Sequence, residues 1–327
     1  MNRVQRHTVL ADEEGQRIDR WLKLHYPDLP RGRLQKLLRT GQIRVDGKRV
    51  KAGRNLGVGQ EIRIPPIRSE LKVSEYIERP VEQSDFQFLR GRVLYKDNDL
   101  IGFDKPAGLA VQGGSRTTRH LDGMLDALRF DSVERPKLVH RLDKDTSGVM
   151  VLARNRASAR RLGQAFASRD VRKIYWALVV GVPKRVQGRI NLPLMKGGGA
   201  GHNRVRVDVE GKRAVTDFYV VERAGSRLSW LALWPRTGRT HQIRAHCAAI
   251  GTPILGDGKY GGRAAFVDAL PTAARQLQLL AREVILPKIS GQGEIRIVAA
   301  MPPHMDEFWR MFELEPEATS DPFTELD

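Results

Sequence analysis

A single cysteine, Cys247, occurs among the 327 residues. Intramolecular disulfides are therefore impossible, and zinc sites built on clustered cysteines are excluded with them. Long apolar runs are missing as well, since no stretch approaches the roughly 18 residues that a membrane-spanning helix needs. The opening MNRVQRHTVLADEEGQ lacks the apolar core of a signal peptide, so a cytoplasmic location with no membrane partner is the expectation. Nucleotide-binding signatures are absent too. GTPILGDGKYGG is glycine-rich with a lysine, yet it does not fit G-x-x-x-x-G-K-[ST], and no dinucleotide fingerprint is present. HRLDKD has the look of a kinase catalytic loop, but neither a glycine-rich strand loop nor D-F-G accompanies it. No cofactor and no metal can be read from the chain, and nothing repeats at a fixed period.

Negative charge is also in short supply. Only 38 Asp and Glu stand against 56 Lys and Arg, giving a net charge of +18 and an isoelectric point near 10.4. Such an excess attracts a polyanion over long range, and nucleic acid is the commonest. A merely solubilising surface is the plain alternative. An anionic membrane is disfavoured, because neither terminus carries a basic amphipathic helix with Trp or Phe on its apolar face. What the chain does have is length enough for two domains and an ordinary hydrophobic fraction of 41%.

Residues 15–66 read as a compact unit. RIDRWLKLHYP places Ile18, Trp21 and Leu22 on one helical face and ends at Pro27. PRGRLQKLLRTG gives a second helix with Leu34, Leu37 and Leu38 as its apolar stripe, and Gly41 stops it. Its opposite side carries Arg31, Arg33, Lys36 and Arg39, a basic face that could bind RNA or simply be solvated. QIRVDGKRV alternates and turns at Asp46-Gly47, a two-residue hairpin signal, and VGQEIRIPP closes the unit with a strand stopped by two prolines. The stretch resembles the S4 domain, a small RNA-binding fold, on GQRIDRWLK, RLQKLLRTGQIRVDGKRVK and GQEIRIP.

Residues 67–91 show no clean period and read as linker. From there to about residue 312, strands and amphipathic helices alternate irregularly, which predicts a single mixed α/β or α+β domain over 92–312. The segment 195–204, rich in glycine, reads as the most flexible interior stretch. The tail 313–327 has six acidic residues and no basic one, which predicts disorder.

Three charged clusters stand out in the larger domain. In LVHRLDKDTSGVMVLARN, two short buried strands flank a turn holding Asp143 and Asp145, with Arg141 and Lys144 interleaved. An Asx turn with surface ion pairs is the plain reading of it. An aspartate nucleophile or base is the chemical one, and it requires an arginine to keep the carboxylate ionised and in place. PRTGRTHQIRAHCAAIG supplies such a cation in Arg244, on a helix expected over about 240–250 with Gly251 as its stop. VRKIYWALVVG reads as a strand with Lys173 and Tyr175 on one face and Ile174 and Trp176 on the other.

Taken together and in this order, these clusters, with DKPAGLAVQGG and GTPILGDGKYGG, resemble the motifs of the pseudouridine synthases. The branch is the one that modifies ribosomal and some transfer RNA uridines. The resemblance covers about residues 93–312. It implies a mixed, largely antiparallel sheet with a central cleft, no cofactor, and 23S ribosomal RNA as the partner of a monomeric enzyme. It makes Asp143 the catalytic aspartate, which spacing alone does not choose over Asp145. It makes Tyr175 the active-site tyrosine, stacked on the target base and assisting proton removal from the sugar. It pairs Arg244 with Asp143 and gives Arg141 a part in rearranging RNA around the flipped base. A related synthase acting on other 23S sites or on tRNA, or an inactive S4-type protein that only remodels RNA, are the alternatives. KGGGAGHNRVRV departs from the longer polar segment associated with that branch.

Overall fold

The computed structural model describes residues 4–26, 29–66, 82–113, 117, 119–168, 170–197, 204–268, 270, 272–313 and 322–323. Two units divide near residue 77.

In the smaller unit, α1 (Ile18–His25) and α2 (Arg31–Arg39) pack on a four-stranded antiparallel sheet. Its strands are β1 (Gln5–Thr8), β2 (Arg44–Val45), β3 (Lys48–Arg49) and β4 (Glu61–Ile64), in the order β1-β4-β2-β3. The apolar stripes meet as expected: Ile18, Trp21, Leu22, Leu34, Leu38, Ile43, Val45, Ile62 and Ile64 form one core. Each large side chain buried there stabilises by about 1.5–3 kcal/mol. Asp46 and Gly47 both take positive φ, 48° and 72°, which is the backbone of a tight two-residue hairpin turn. The unit also begins earlier than the sequence suggests. QRHT pairs along β4 from Gln5↔Ile64 to Thr8↔Glu61. A polar edge strand of four residues carries too few apolar positions to announce itself. Pro27, expected to end α1, lies outside the described residues.

The larger unit is built on a ten-stranded sheet. Its strands are β5 (Val93–Lys96), β6 (Leu100–Lys105), β7 (Lys137–Leu138), β8 (Ser147–Ala153), β9 (Arg172–Val180), β10 (Gln187–Asn191), β13 (Val215–Ala224), β14 (Leu228–Pro235), β15 (Leu279–Pro287) and β16 (Glu294–Val298). A separate small hairpin joins β11 (Leu194–Lys196) to β12 (Val205–Val207). The main order is β10-β13-β14-β9-β15-β8-β6-β5, with β16 on β15 and β7 on β8. Among the described strands of this sheet every pairing is antiparallel except one, the short parallel contact of β15 with β8 at Leu280↔Ser147 and Ala281↔Gly148. The sheet is therefore mixed and largely antiparallel, in an α+β fold.

That parallel contact needs a glycine. Gly148 has φ +105°, and a Cβ there would lie 2.2 Å from the Ala281 carbonyl oxygen. One face of the sheet buries Ile174, Trp176, Trp230 and Val284 beneath α5 (Arg156–Ser168) and α8 (Pro303–Met311). Trp309 of α8 stacks on Trp176 at 5.6 Å and meets Trp230 edge-on at 4.2 Å. The other face holds two separate cores. One gathers Ile101, Phe103, Met150 and Leu152, with Leu89 of α3 (Gln83–Arg90) and Leu121 of α4 (Leu121–Met124). The second gathers Val179, Leu231 and Leu233 with Ile243 and Cys247 of α6 (Gln242–Ala249). Tyr175 packs against both, so the seam between them runs past β9 at the centre of the sheet.

Two readings of the sequence need correction. The stretch taken as linker ends in a helix, α3, whose Leu89 is fully buried in the larger unit; residues 67–81 lie outside the described residues. The tail is not wholly without structure, since Phe323 is fully buried and meets Trp234 edge-on at 5.9 Å. One aromatic residue in an acidic stretch gives no periodic signal, but it suffices to anchor a chain in an apolar socket. The remaining tail residues, 314–321 and 324–327, and residues 198–203 of the glycine-rich segment lie outside the described residues.

Candidate active site

The loop between β7 and β8 is fixed from three sides. His140 at its start accepts the Val151 N–H through Nε2 at 2.8 Å and stacks on Phe166 at 4.4 Å. Burial and the charge of Lys173 push His140 down to about 3, which keeps that nitrogen free to accept. The Lys144 carbonyl accepts from Gly108 N–H at 2.9 Å and from the Lys105 ammonium at 2.9 Å. Lys105 is fully buried and also donates to the carbonyls of Pro106 and Leu109. The Thr146 N–H closes the turn on the Asp143 carbonyl at 3.3 Å.

Held in this way, the turn separates the two aspartates that spacing leaves equivalent. Asp145 is exposed, whereas the Asp143 side chain keeps only 20% of its exposure. Burial pushes the Asp143 carboxyl above its ordinary value, against the pull of Arg244, Arg141 and Lys259. Tyr175 is pushed upward as well, by burial and then by the charge of Asp143, so its phenol stays protonated. Tyr175, Arg244 and Arg141 are thus electrostatically within reach of the Asp143 carboxylate. Arg141 itself is exposed.

Arg244 does not pair with Asp143. Its guanidinium forms a two-bond fork with Asp257, Nε to Oδ2 at 2.8 Å and Nη2 to Oδ1 at 2.7 Å. Asp257 is almost fully buried, and a carboxylate without water requires a cation or donors nearby. Burial opposes the Arg244 charge, but the Asp257 bonds outweigh it and hold the guanidinium above its usual pKa. Asp257 also caps α7 (Gly258–Gly261), accepting the Tyr260 N–H at 3.3 Å. The helix carrying Arg244 starts at Gln242, so Thr240 lies before it rather than on its face. Gly251, with φ +82°, ends it as expected.

Sequence reasoning missed Asp257, Tyr260, His241 and Lys105 as parts of this site. The signal for the first two lay in GTPILGDGKYGG, where a buried Asp among glycines marks a loop held at close quarters. Gly256 shows this: a Cβ there would meet the Gln276 carbonyl oxygen at 2.0 Å. Among the described residues, no group of three or more His, Cys, Asp or Glu could hold a metal ion. In the smaller unit, Arg33, Lys36 and Arg39 are exposed on α2, as a basic binding face requires; the Arg31 side chain lies outside the description.

The family model described as RNA pseudouridylate synthase matches residues 99–249, which include Asp143, Tyr175 and Arg244. The S4 domain model matches residues 16–62. The chain is 37% identical over 301 residues to "Ribosomal large subunit pseudouridine synthase C" of Escherichia coli (strain K12), covering 90% of this chain and 92% of that one. The chain belongs to the RNA pseudouridine synthase family. A second synthase C, from Vibrio cholerae, is 34% identical over 309 residues, with 93% and 95% covered. "RNA pseudouridine synthase 4, mitochondrial" of Arabidopsis thaliana is 38% identical, covering 75% of this chain, which spans 60% of that relative's length. Among solved structures, the protein titled "Human RNA Pseudouridylate Synthase Domain Containing 4" superposes with a TM-score of 0.60 at 29% identity, over 70% of this chain and 96% of the human one. This synthase thus has the family's mixed sheet and an N-terminal S4 domain. No helix among the described residues is long and apolar enough to cross a membrane.

Proposed function

We propose that this synthase converts uridines of 23S ribosomal RNA to pseudouridine, with Asp143 as the acting carboxylate. The observation that carries the substrate is the match to relatives named for the ribosomal large subunit, which runs through the S4 domain and covers more than nine-tenths of the Vibrio protein and of this chain. The reaction breaks N1–C1′, turns the uracil, and joins C5 to C1′; C5 gives up a proton and N1 takes one up. No atoms are gained or lost overall. Cofactor-free chemistry of this kind asks for one ionised carboxylate and a site that keeps the detached base close. Arg244, Arg141 and Lys259 supply the positive field that favours the ionised form of Asp143.

A uridine within folded RNA has to leave its stack first, and the half-buried Tyr175 ring offers it a surface. Its phenol is protonated, so any proton it takes from the sugar is matched by its own proton passing to Asp143. In this reading Arg141, exposed two residues before Asp143, holds RNA rearranged around the flipped base; its exposure leaves it free to reach RNA. Arg33, Lys36 and Arg39 in the S4 domain contribute backbone affinity that carries no sequence information.

Mapping pseudouridines in 23S rRNA by chemical adduct and primer extension, with and without the gene, tests this reading. Sites that vanish and return with the wild-type gene, but not with Asp143→Asn, support it. An unchanged 23S map with altered tRNA moves the substrate to tRNA. If both maps are unchanged, the protein is an S4-type RNA remodeller and the proposal fails.

A further inference from the structure

His241 stands at the N-terminus of α6 with φ 51°, a left-handed conformation that residues other than glycine seldom adopt. Its ring is buried, and among the described residues Nε2 meets one polar group, Asp143 Oδ1, at 3.8 Å. Nδ1 lies 2.7 Å from the Tyr260 hydroxyl. The Tyr260 oxygen in turn accepts the Val205 N–H of β12 at 3.0 Å. With its oxygen accepting from the backbone, the hydroxyl has its own proton to give, and Nδ1 is the acceptor in reach. When the Tyr260 hydroxyl donates to Nδ1, the ring proton sits on Nε2, facing Asp143.

From this geometry we infer that His241 is a positioning residue for the synthase reaction: its Nε2–H, set in that tautomer by Tyr260, steadies one oxygen of Asp143 and leaves the other to react. The inference rests on Asp143 being the acting carboxylate. A separation of 3.8 Å is too long for a hydrogen bond, but bonds of this kind are often loose before substrate arrives and tighten in the complex. The groups facing the ring also keep it neutral. Burial and the charges of Lys259, Arg244 and Arg141 push His241 down to about 4, with Asp257 opposing. A neutral N–H can orient the carboxylate without handing it a proton, which an imidazolium could do. Structural packing alone would not require a strained backbone at this position, nor a hydroxyl bonded to the far nitrogen.

The test uses tritium release from total RNA, rRNA and tRNA together, labelled at uridine C5 and taken from cells lacking the gene. Single-turnover rates and RNA Kd are measured for the full-length wild type and for Asp143→Asn, His241→Asn, His241→Gln and Tyr260→Phe. Asn tolerates the left-handed backbone but does not reach Asp143, whereas Gln offers an N–H at similar reach. The expected result for His241→Asn is a rate loss of about 100-fold with Kd unchanged, the scale of a small misplacement of a reacting group. His241→Gln is expected to recover about tenfold of that loss. Tyr260→Phe, which leaves the backbone of α6 alone, is expected to lose about tenfold. A wild-type rate in His241→Asn, or a loss that appears in Kd instead, overturns the inference, as does Gln behaving no better than Asn. Asp143→Asn separates the two ideas: if it is dead while His241→Asn is fully active, only the role of His241 falls. If it turns over normally, or if the wild type releases no tritium, the reading of Asp143 falls and His241 with it.

Discussion

At the residue scale, the balance around Asp143 has consequences for both activity and stability. Its carboxyl is half-buried and raised above its ordinary value, so the charged form is worse off in the folded protein than in the unfolded chain. The folded state therefore binds this proton more tightly, and the group's contribution falls as pH rises from the unfolded to the folded pKa. Above both values the charge costs stability. Asp143→Asn should accordingly melt at the same Tm as wild type or higher at pH 7, while turnover drops by roughly 10⁴-fold, the scale at which other enzymes lose a reacting charge. The same sign places the acid limb of kcat/KM above the usual Asp range, because the proposed working form is ionised; a pH–rate profile on labelled RNA reads it. Asp145→Asn, at an exposed position, should keep most turnover, and a dead enzyme there would reverse the choice between the two. The sequence held both aspartates in one turn but not the direction of either. That direction comes from Lys105 and His140, which lie 38 and 3 residues before Asp143 and act through backbone groups that no side-chain pattern reports.

At the scale of elements, two close approaches hold the site together, and each can be tested. Gly148→Ala puts a Cβ against the Ala281 carbonyl and into an unfavourable φ, just where β15 and β8 run parallel. It should destabilise by roughly 2–3 kcal/mol in urea unfolding, with activity falling along with it. Asp257→Asn leaves the buried Arg244 guanidinium short of its counter-charge, and a loss of about 3–5 kcal/mol is expected by the same measurement. Elements that bury one face, such as α1, α2 and β9, were legible because spacing alone tells in from out. Ile174 and Trp176 did fall opposite Tyr175. The strand QRHT and the helix QSDFQFLR were not legible, because their pairing partners lie elsewhere in the chain and their own composition is mostly polar. Arg244 was legible as a cation on a helix, but not as a buried one, since residues 242–247 are buried all round and leave no contrast of faces to read; its choice of Asp257 over Asp143 is a fact of three-dimensional packing.

For the whole molecule, the excess of 18 positive charges predicts strong salt dependence of RNA binding. Replacing Arg33, Lys36 and Arg39 together by Ala should weaken binding to all sequences alike. It should also reduce the slope of log K against log salt by about 2, at roughly 0.7 per lost phosphate contact on single strands. A filter-binding series from 50 to 200 mM salt, about the range where such slopes are measured, gives the answer. The division into a small basic unit and a larger α+β unit could be read from composition and periodicity. The strand order could not, since β15 comes late in the chain and yet lies between β9 and β8, the centre of the sheet.

The lone thiol makes the molecule its own clock. Cys247 is fully buried on α6, three residues after Arg244, and burial pushes its thiol up to about 12. Thiolate is the form that alkylating reagents attack, so the native protein should be blind to them. Labelling then waits on the lifting of α6 from its core, and its rate counts how often the Arg244 helix comes away. A mass shift of one adduct, followed over hours in native buffer, times the opening of the candidate site without any engineered probe.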